Sequence, residues 1–161
     1  MTEFEGTPRA PAQGRIAVVV SRYNEVVTAR LLDGARICLR ESAISEADVD
    51  VFWTAGAFEL PTVAAAVATT RRYGAIIALG CVMRGETPHF EFVAEEVARG
   101  LGAVAREHGV AVGFGVLTTD SPAQAFARAG GEAGNKGYEA ADAALRTADL
   151  LAQLNRASAG D

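Results

Sequence analysis

A loop that leads into a predicted helix combines residue types suited to proton transfer and anion binding. Residues 80–93 read GCVMRGETPHFEFV, and His89 is one of only two histidines in the chain. Thr87 is predicted as the N-cap and Pro88 as the first helical residue, so His89 is expected in the first turn. Unpaired N–H groups and the helix dipole there favour a bound phosphate or carboxylate and a neutral imidazole. Such an imidazole is a good proton-transfer group, and a solvated polar residue is the alternative.

Aromatic residues follow three of the predicted strands or lie within them. Phe58 and Glu59 come directly after Gly56-Ala57, where they could stack on and hydrogen-bond a planar heterocycle. A core side chain and a helix cap are the alternative for this pair. Tyr23 follows the first strand and Phe114 lies within the fourth, and residues of this kind are more often part of a core than ligand contacts.

Two arginines are candidates for anion binding. Arg84 stands in the histidine loop, where pairing with a surface carboxylate is the alternative. Arg128 precedes Ala129-Gly130-Gly131, which indicates a helix C-terminus. The helix dipole favours a cation at that end, so helix capping is the alternative to phosphate binding.

Alternating apolar strands and amphipathic helices must position these side chains. Strands are predicted at residues 15–20, 49–53, 75–80 and 112–117, and helices at 26–43, 60–72, 88–108, 122–129 and 136–154. This alternation predicts an α/β protein, a three-layer α/β/α, flavodoxin-like fold with a four-stranded parallel sheet flanked by helices. Right-handed crossovers bring every strand-to-helix loop to the carboxyl edge of the sheet, where ligands bind in such folds.

Length, charge and cysteine content narrow the class of protein. The 161 residues are expected to form a flexible N-terminal segment at 1–14, a single domain at 15–157 and a C-terminal tail at 158–161. A net charge of −5 without a basic block argues against nucleic-acid binding. No apolar stretch is long enough for a transmembrane helix. Cys38 and Cys81 are too few and too far apart for a disulfide framework or a metal motif, which suits the reducing cytoplasm.

Five segments in order along the chain resemble the lumazine synthase family. The resemblance covers about residues 15 to 155 and rests on the segments 21–24 (SRYN), 56–61 (GAFELP), 80–93, 115–119 (GVLTT) and 128–137, which contains RAG and GNKG. Two positions depart from the family pattern. Ala55 stands where many members have proline, and Tyr23 stands where phenylalanine or tryptophan is common, but neither change removes a catalytic group.

The resemblance implies an activity and a set of site residues. The reaction would be condensation of 5-amino-6-(D-ribitylamino)uracil with 3,4-dihydroxy-2-butanone 4-phosphate to 6,7-dimethyl-8-ribityllumazine, the penultimate step of riboflavin biosynthesis, with no metal or organic cofactor. His89 would move protons, and Phe114 would close the site from the neighbouring subunit. The implied pyrimidine contacts are Tyr23, Ala57, Phe58, Glu59, Cys81, Val82, Met83 and Phe114, and the implied butanone phosphate contacts are Glu86, Thr87 and Arg128.

The resemblance also implies an assembly. Family members form homo-oligomers, pentamers or icosahedral capsids of 60 subunits, with active sites between subunits and small-molecule substrates. Riboflavin synthase is a possible partner, whereas nucleic acid and membrane are not expected. The competing hypothesis is a homologue that binds flavin or lumazine, or forms a shell, without catalysis.

Overall fold

Four parallel strands form the central sheet in the computed structural model, which describes residues 1–159. They are β1 (Arg15–Ser21), β2 (Val49–Thr54), β3 (Tyr73–Met83) and β4 (Ala111–Thr119), in the spatial order β2-β1-β3-β4. The central strands β1 and β3 are nearly continuous runs of buried apolar residues, as expected for strands covered on both faces. Their register aligns Val18 with Val51 of β2 and with Ile77 of β3.

Five α-helices cover this sheet. They are α1 (Glu25–Glu41), α2 (Leu60–Thr69), α3 (His89–His108), α4 (Pro122–Arg128) and α5 (Lys136–Ala159), and a short 3-10 helix (Glu46–Asp48) precedes β2. On one face, Leu31 of α1 and Leu145 of α5 pack in the same apolar cluster as Ile77 of β3. On the other face, Leu60 of α2 and Leu101 of α3 form a second cluster. Each such leucine contributes roughly 1.5–3 kcal/mol of burial free energy. The predicted three-layer α/β/α, flavodoxin-like fold is confirmed.

Several element boundaries differ from the sequence-based expectation. The long helix α3 begins at His89, its N-cap residue is Pro88, and no side chain caps it, so the prediction of Thr87 as the cap was wrong. α2 ends at Thr69, before the predicted residue 72, because Arg71 adopts a left-handed backbone conformation with φ 54° that stops the helix. β3 extends at both ends beyond the predicted 75–80.

A two-stranded antiparallel hairpin between α4 and α5 was not predicted. It consists of β5 (Ala129–Gly131) and β6 (Gly134–Asn135). Strands of three and two residues are too short to show an alternating pattern in the sequence, and the glycines in this segment indicate only a loop.

The ends of the chain meet along the last helix. Residues 1–14 contain no helix or strand, and the backbone N–H of Thr7 donates a 3.0 Å hydrogen bond to the carboxylate of Asp149 in α5. The flexibility expected of this segment stays a prediction. α5 continues through Ala159, so part of the expected tail at 158–161 is helical, and residues 160 and 161 lie outside the described residues. None of the helices described in residues 1–159 is long and apolar enough to cross a membrane.

Candidate active site

The loop after β1 is folded so that an aromatic ring stands free in solvent. Asn24 adopts the left-handed conformation with φ 61°, and its side-chain amide donates a 2.9 Å hydrogen bond to the carbonyl of Cys81 on β3. The backbone N–H of Tyr23 donates to the carbonyl of Ala55 at 3.1 Å. These bonds fix the backbone at Tyr23 while 71% of its side chain remains exposed.

The loop after β2 presents a second exposed ring beside the first. The buried hydroxyl of Thr54 donates to the carbonyl of Gly56 at 2.8 Å, and the N–H of Leu60 donates to the carbonyl of Ala57 at 3.1 Å. This tight turn buries Ala57 and leaves Phe58 56% exposed. The alternative reading of Phe58 as a core residue was therefore wrong, whereas Glu59 does occupy the N-cap position of α2.

The loop after β3 is held by an arginine. Arg84 Nε donates to Asp120 at 2.8 Å, and its Nη1 donates to Glu91 at 3.1 Å. The guanidinium also lies 4.6 Å from the ring centroid of Phe90. The hydrogen bonds that Arg84 donates to these two carboxylates raise its pKa above the ordinary value. Arg84 thus takes the surface-pairing role, and its charge is already matched.

A cavity of about 720 Å³ opens among these three loops and the start of α3. Its lining contains most of the side chains expected from the sequence: Tyr23, Ala57, Phe58, Glu59, Cys81, Val82, Met83, Thr87 and His89. It also contains residues that sequence reasoning did not assign to a substrate: Gly56, Gly85, Phe90, Phe92 and Val93. Phe92 is 71% exposed. Its position three residues after His89, on the same side of the predicted helix, is the sequence feature that could have identified it as a site residue.

His89 lies at the mouth of this cavity as the first residue of α3, and its side chain is exposed. The leading N–H groups of α3 and the positive end of its dipole lie at the same point. Cys81 also lines the cavity, and burial raises the pKa of its thiol to about 11. A neutral thiol at physiological pH is a poor nucleophile. His89 is the one imidazole in the cavity lining, and imidazole is the side chain most often used for proton transfer.

Three of the expected site residues do not line this cavity in the single chain. Glu86 is exposed in the loop between two lining residues, Gly85 and Thr87. Phe114 is 49% exposed on the edge strand β4, in a shallow groove of about 210 Å³ beside the middle of α3. Arg128 ends α4, whose Ala125 packs in the α1 and α5 layer, and it is not part of the cavity lining.

Arg128 is unlike Arg84 in its charge environment. Its Nη1 donates to the carbonyl of Gln124 at 3.1 Å, which is the helix-capping contact expected at a C-terminus. Among residues 1–159 no carboxylate forms an ion pair with it. Its charge remains available to an anion that reaches this surface.

Comparison with known proteins identifies the family of this chain. The family model described as 6,7-dimethyl-8-ribityllumazine synthase matches residues 13–152. The 6,7-dimethyl-8-ribityllumazine synthase of Anaeromyxobacter dehalogenans (strain 2CP-C) is 52% identical to this chain over 145 residues, which cover 90% of each protein. The matched range contains every loop that lines the cavity, as well as Phe114 and Arg128. The chain therefore belongs to the 6,7-dimethyl-8-ribityllumazine synthase family.

Proposed function

We propose that this protein is a transferase that condenses 5-amino-6-(D-ribitylamino)uracil with 3,4-dihydroxy-2-butanone 4-phosphate. The 5-amino group attacks the ketone and an imine forms with loss of water. Elimination then releases inorganic phosphate and leaves an enol, and ring closure by the ribitylamino nitrogen expels a second water. The product is 6,7-dimethyl-8-ribityllumazine. Family membership carries this proposal, and the cavity with its aromatic mouth and single histidine supports it.

The aromatic half of the cavity suits the pyrimidine. Tyr23 and Phe58 expose their rings at its mouth, and flat rings of this kind stack on heterocycles in offset geometry. Glu59 adds a carboxylate that accepts hydrogen bonds from ring N–H or ribityl hydroxyl groups. The end of β3, from Cys81 to Met83, and Ala57 add mostly apolar lining.

The helix end of the cavity suits the four-carbon phosphate. The N–H groups that open α3 attract anions, and the loop residues Glu86 and Thr87 lie directly before them. Arg128 has no carboxylate partner in the described part of the chain and offers a bidentate fork for a phosphate. His89 lies where the two substrates meet, so its imidazole relays protons during imine formation and phosphate elimination.

The same proposal includes a homo-oligomer with sites between subunits. Large apolar side chains stand exposed around the cavity mouth and on β4, namely Tyr23, Phe58, Phe92 and Phe114. Exposed apolar side chains clustered in this way mark interaction surfaces. A neighbouring copy would cover them and bring its own Phe114 and Arg128 to the cavity. We expect a pentamer or a 60-subunit icosahedral capsid in the cytoplasm, with riboflavin synthase as a candidate partner.

Turnover with the two named substrates tests the function. Formation of the fluorescent lumazine, together with release of one inorganic phosphate per product, is expected above the spontaneous condensation measured without protein. A rate equal to that blank contradicts the proposal. Binding of riboflavin without turnover would instead select the non-catalytic alternative, which the family match does not favour. Light scattering coupled to size-exclusion chromatography measures the assembly separately.

A further inference from the structure

The hairpin that follows Arg128 fixes the direction in which this arginine leaves α4. Ala129, the next residue, pairs with Asn135 across the hairpin. Gly130 and Gly134 adopt positive φ angles of 94° and 80°, which side chains other than glycine rarely tolerate. The N–H of Ala133 donates to the carbonyl of Ala127 at 2.9 Å and closes the hairpin back onto α4. The position of Arg128 therefore depends on where Asn135 is held.

The side chain of Asn135 joins three elements. Its Oδ1 accepts hydrogen bonds from the N–H groups of Gly137 at 2.8 Å and Tyr138 at 3.2 Å, which caps the start of α5. Its Nδ2 donates to the carbonyl of Arg30 in α1 at 2.9 Å, across 105 residues of sequence. A single carboxamide thus ties the hairpin to both α5 and α1.

The residue on α1 that accepts this bond also contacts α4. The guanidinium of Arg30 lies 5.0 Å from the ring centroid of Phe126, two residues before Arg128. Gly34, one turn further along α1, packs directly against the Asn135 side chain, and a Cβ built at Gly34 would collide with the carboxamide. Helix α1 consequently contacts the segment that carries Arg128 at two points, Phe126 and Asn135, and no side chain larger than glycine fits at position 34 without moving Asn135.

We propose that Asn135 is a positioning residue for Arg128: it anchors the hairpin to α1 so that the guanidinium is held ready for the substrate phosphate. This inference rests on the phosphate role proposed for Arg128. Asn135 itself touches no substrate in this scheme. Its loss should therefore weaken the phosphate substrate specifically, through a less ordered Arg128, and leave the pyrimidine half of the site unchanged.

Asn135→Ser removes the hydrogen bond to α1 and keeps a hydrogen-bond acceptor at the start of α5. Serine still accepts a hydrogen bond at the start of α5, but it is too short to reach the carbonyl of Arg30. With one hydrogen bond lost, we expect the KM for the butanone phosphate to rise about three- to tenfold and the KM for the pyrimidine to change by less than about twofold. Inhibition by inorganic phosphate should weaken in parallel. An equal rise in both KM values, or no rise in either, overturns the inference.

Gly34→Ala disturbs the same carboxamide through a contact on α1 without changing Asn135. The matched control is Gly100→Ala, another glycine within a helix whose added Cβ would push on a neighbouring side chain, that of Pro61, on the opposite face of the sheet. Gly34→Ala should raise the KM for the butanone phosphate selectively, whereas Gly100→Ala should not. Thermal unfolding of both variants reports on folding. Similar KM patterns in the two variants overturn the inference.

A double-mutant cycle tests whether Asn135 acts through Arg128. If it does, adding Asn135→Ser to Arg128→Ala produces no further rise in the KM for the butanone phosphate, because the residue being positioned is already absent. Additive effects overturn the inference and leave the phosphate role of Arg128 intact. A non-selective effect of Arg128→Ala alone contradicts that role, and the positioning inference fails with it.

Discussion

The two faces of the sheet differ in how their loops are used at the carboxyl edge. On the α2 and α3 face, the loops form a cavity with exposed rings and a histidine at a helix start. On the α1 and α5 face, α4 and its hairpin are tied by directed hydrogen bonds and carry an arginine without a carboxylate partner in residues 1–159. The first presents an open, largely apolar surface, and the second presents a cation.

This difference is what the proposed site between subunits requires, with one chain supplying the cavity and a neighbouring chain the arginine. A flat heterocycle needs ring surface and little charge, whereas a phosphate needs a fixed cation. Within one chain Arg128 does not line the cavity that holds the aromatic rings. Two copies arranged head to tail in a closed ring would bring the arginine of one copy to the cavity of the next.

The largest expected effect concerns the half of the proposed site that the cavity forms, here called the cavity half. His89→Ala should lower kcat by about a hundredfold, since a positioned proton-transfer group contributes about 10²- to 10⁴-fold to rate. The KM values for both substrates should stay nearly constant. His108→Ala is the matched control, because His108 is the exposed histidine at the opposite end of the same helix. Steady-state kinetics corrected for the spontaneous reaction measure both variants, and equal loss in the two would remove His89 from its role.

The next effect concerns the half of the proposed site that Arg128 supplies, here called the cation half. Arg128→Ala should raise the KM for the butanone phosphate by about ten- to a hundredfold, as expected for losing charge-assisted hydrogen bonds worth about 1.5–3 kcal/mol. The KM for the pyrimidine should hardly change. Arg128→Lys keeps the charge but loses the bidentate fork, so its KM should fall between those of Arg128→Ala and the unchanged protein. A Lys variant no better than the Ala variant would contradict a simple charge role.

Mixing the two variants tests the two-copy arrangement directly. When chains with His89→Ala and chains with Arg128→Ala are co-expressed, a complete site needs an intact histidine from one copy and an intact arginine from its neighbour. Random assembly in a ring with head-to-tail interfaces makes about one site in four complete, so activity should recover to about a quarter of that of the unchanged protein. If both residues served a site within one chain, mixing would restore nothing.

The sequence predicted the strands and the cavity better than the cation half. Buried apolar runs such as β1, and loops that follow them, locate the carboxyl edge because right-handed crossovers leave no alternative. The pairing of Arg84 with Asp120 joins residues 36 positions apart, and the bond from Asn135 to Arg30 spans 105 positions. Contacts of this kind depend on the tertiary arrangement and have no periodic pattern in the chain. Phe92 was overlooked because an exposed ring on an amphipathic helix looks like a chance surface residue.

The smallest effect on catalysis is expected for a substitution of Asp149, which belongs to neither half of the proposed site. Hydrogen bonds from the N–H of Thr7, and from Arg9 and Gln153, hold the pKa of this carboxyl at about 2, below its ordinary value near 4. Because the folded-state pKa is depressed, its stabilising contribution is present above about pH 4 and is lost as the pH falls towards 2.

Asp149→Asn should therefore lower the unfolding temperature at pH 7, and the difference from the unchanged protein should shrink between pH 4 and pH 2. Both KM values at pH 7 should stay the same, because the N-terminal segment that Asp149 holds lies along α5 and lines no part of the cavity. Calorimetry over this pH range and steady-state kinetics at pH 7 measure the two properties separately. A selective rise in the KM for the butanone phosphate would mean that a general loss of stability disturbs Arg128. A selective effect of Arg128→Ala could then result from a destabilised fold and would no longer be evidence that Arg128 binds the phosphate.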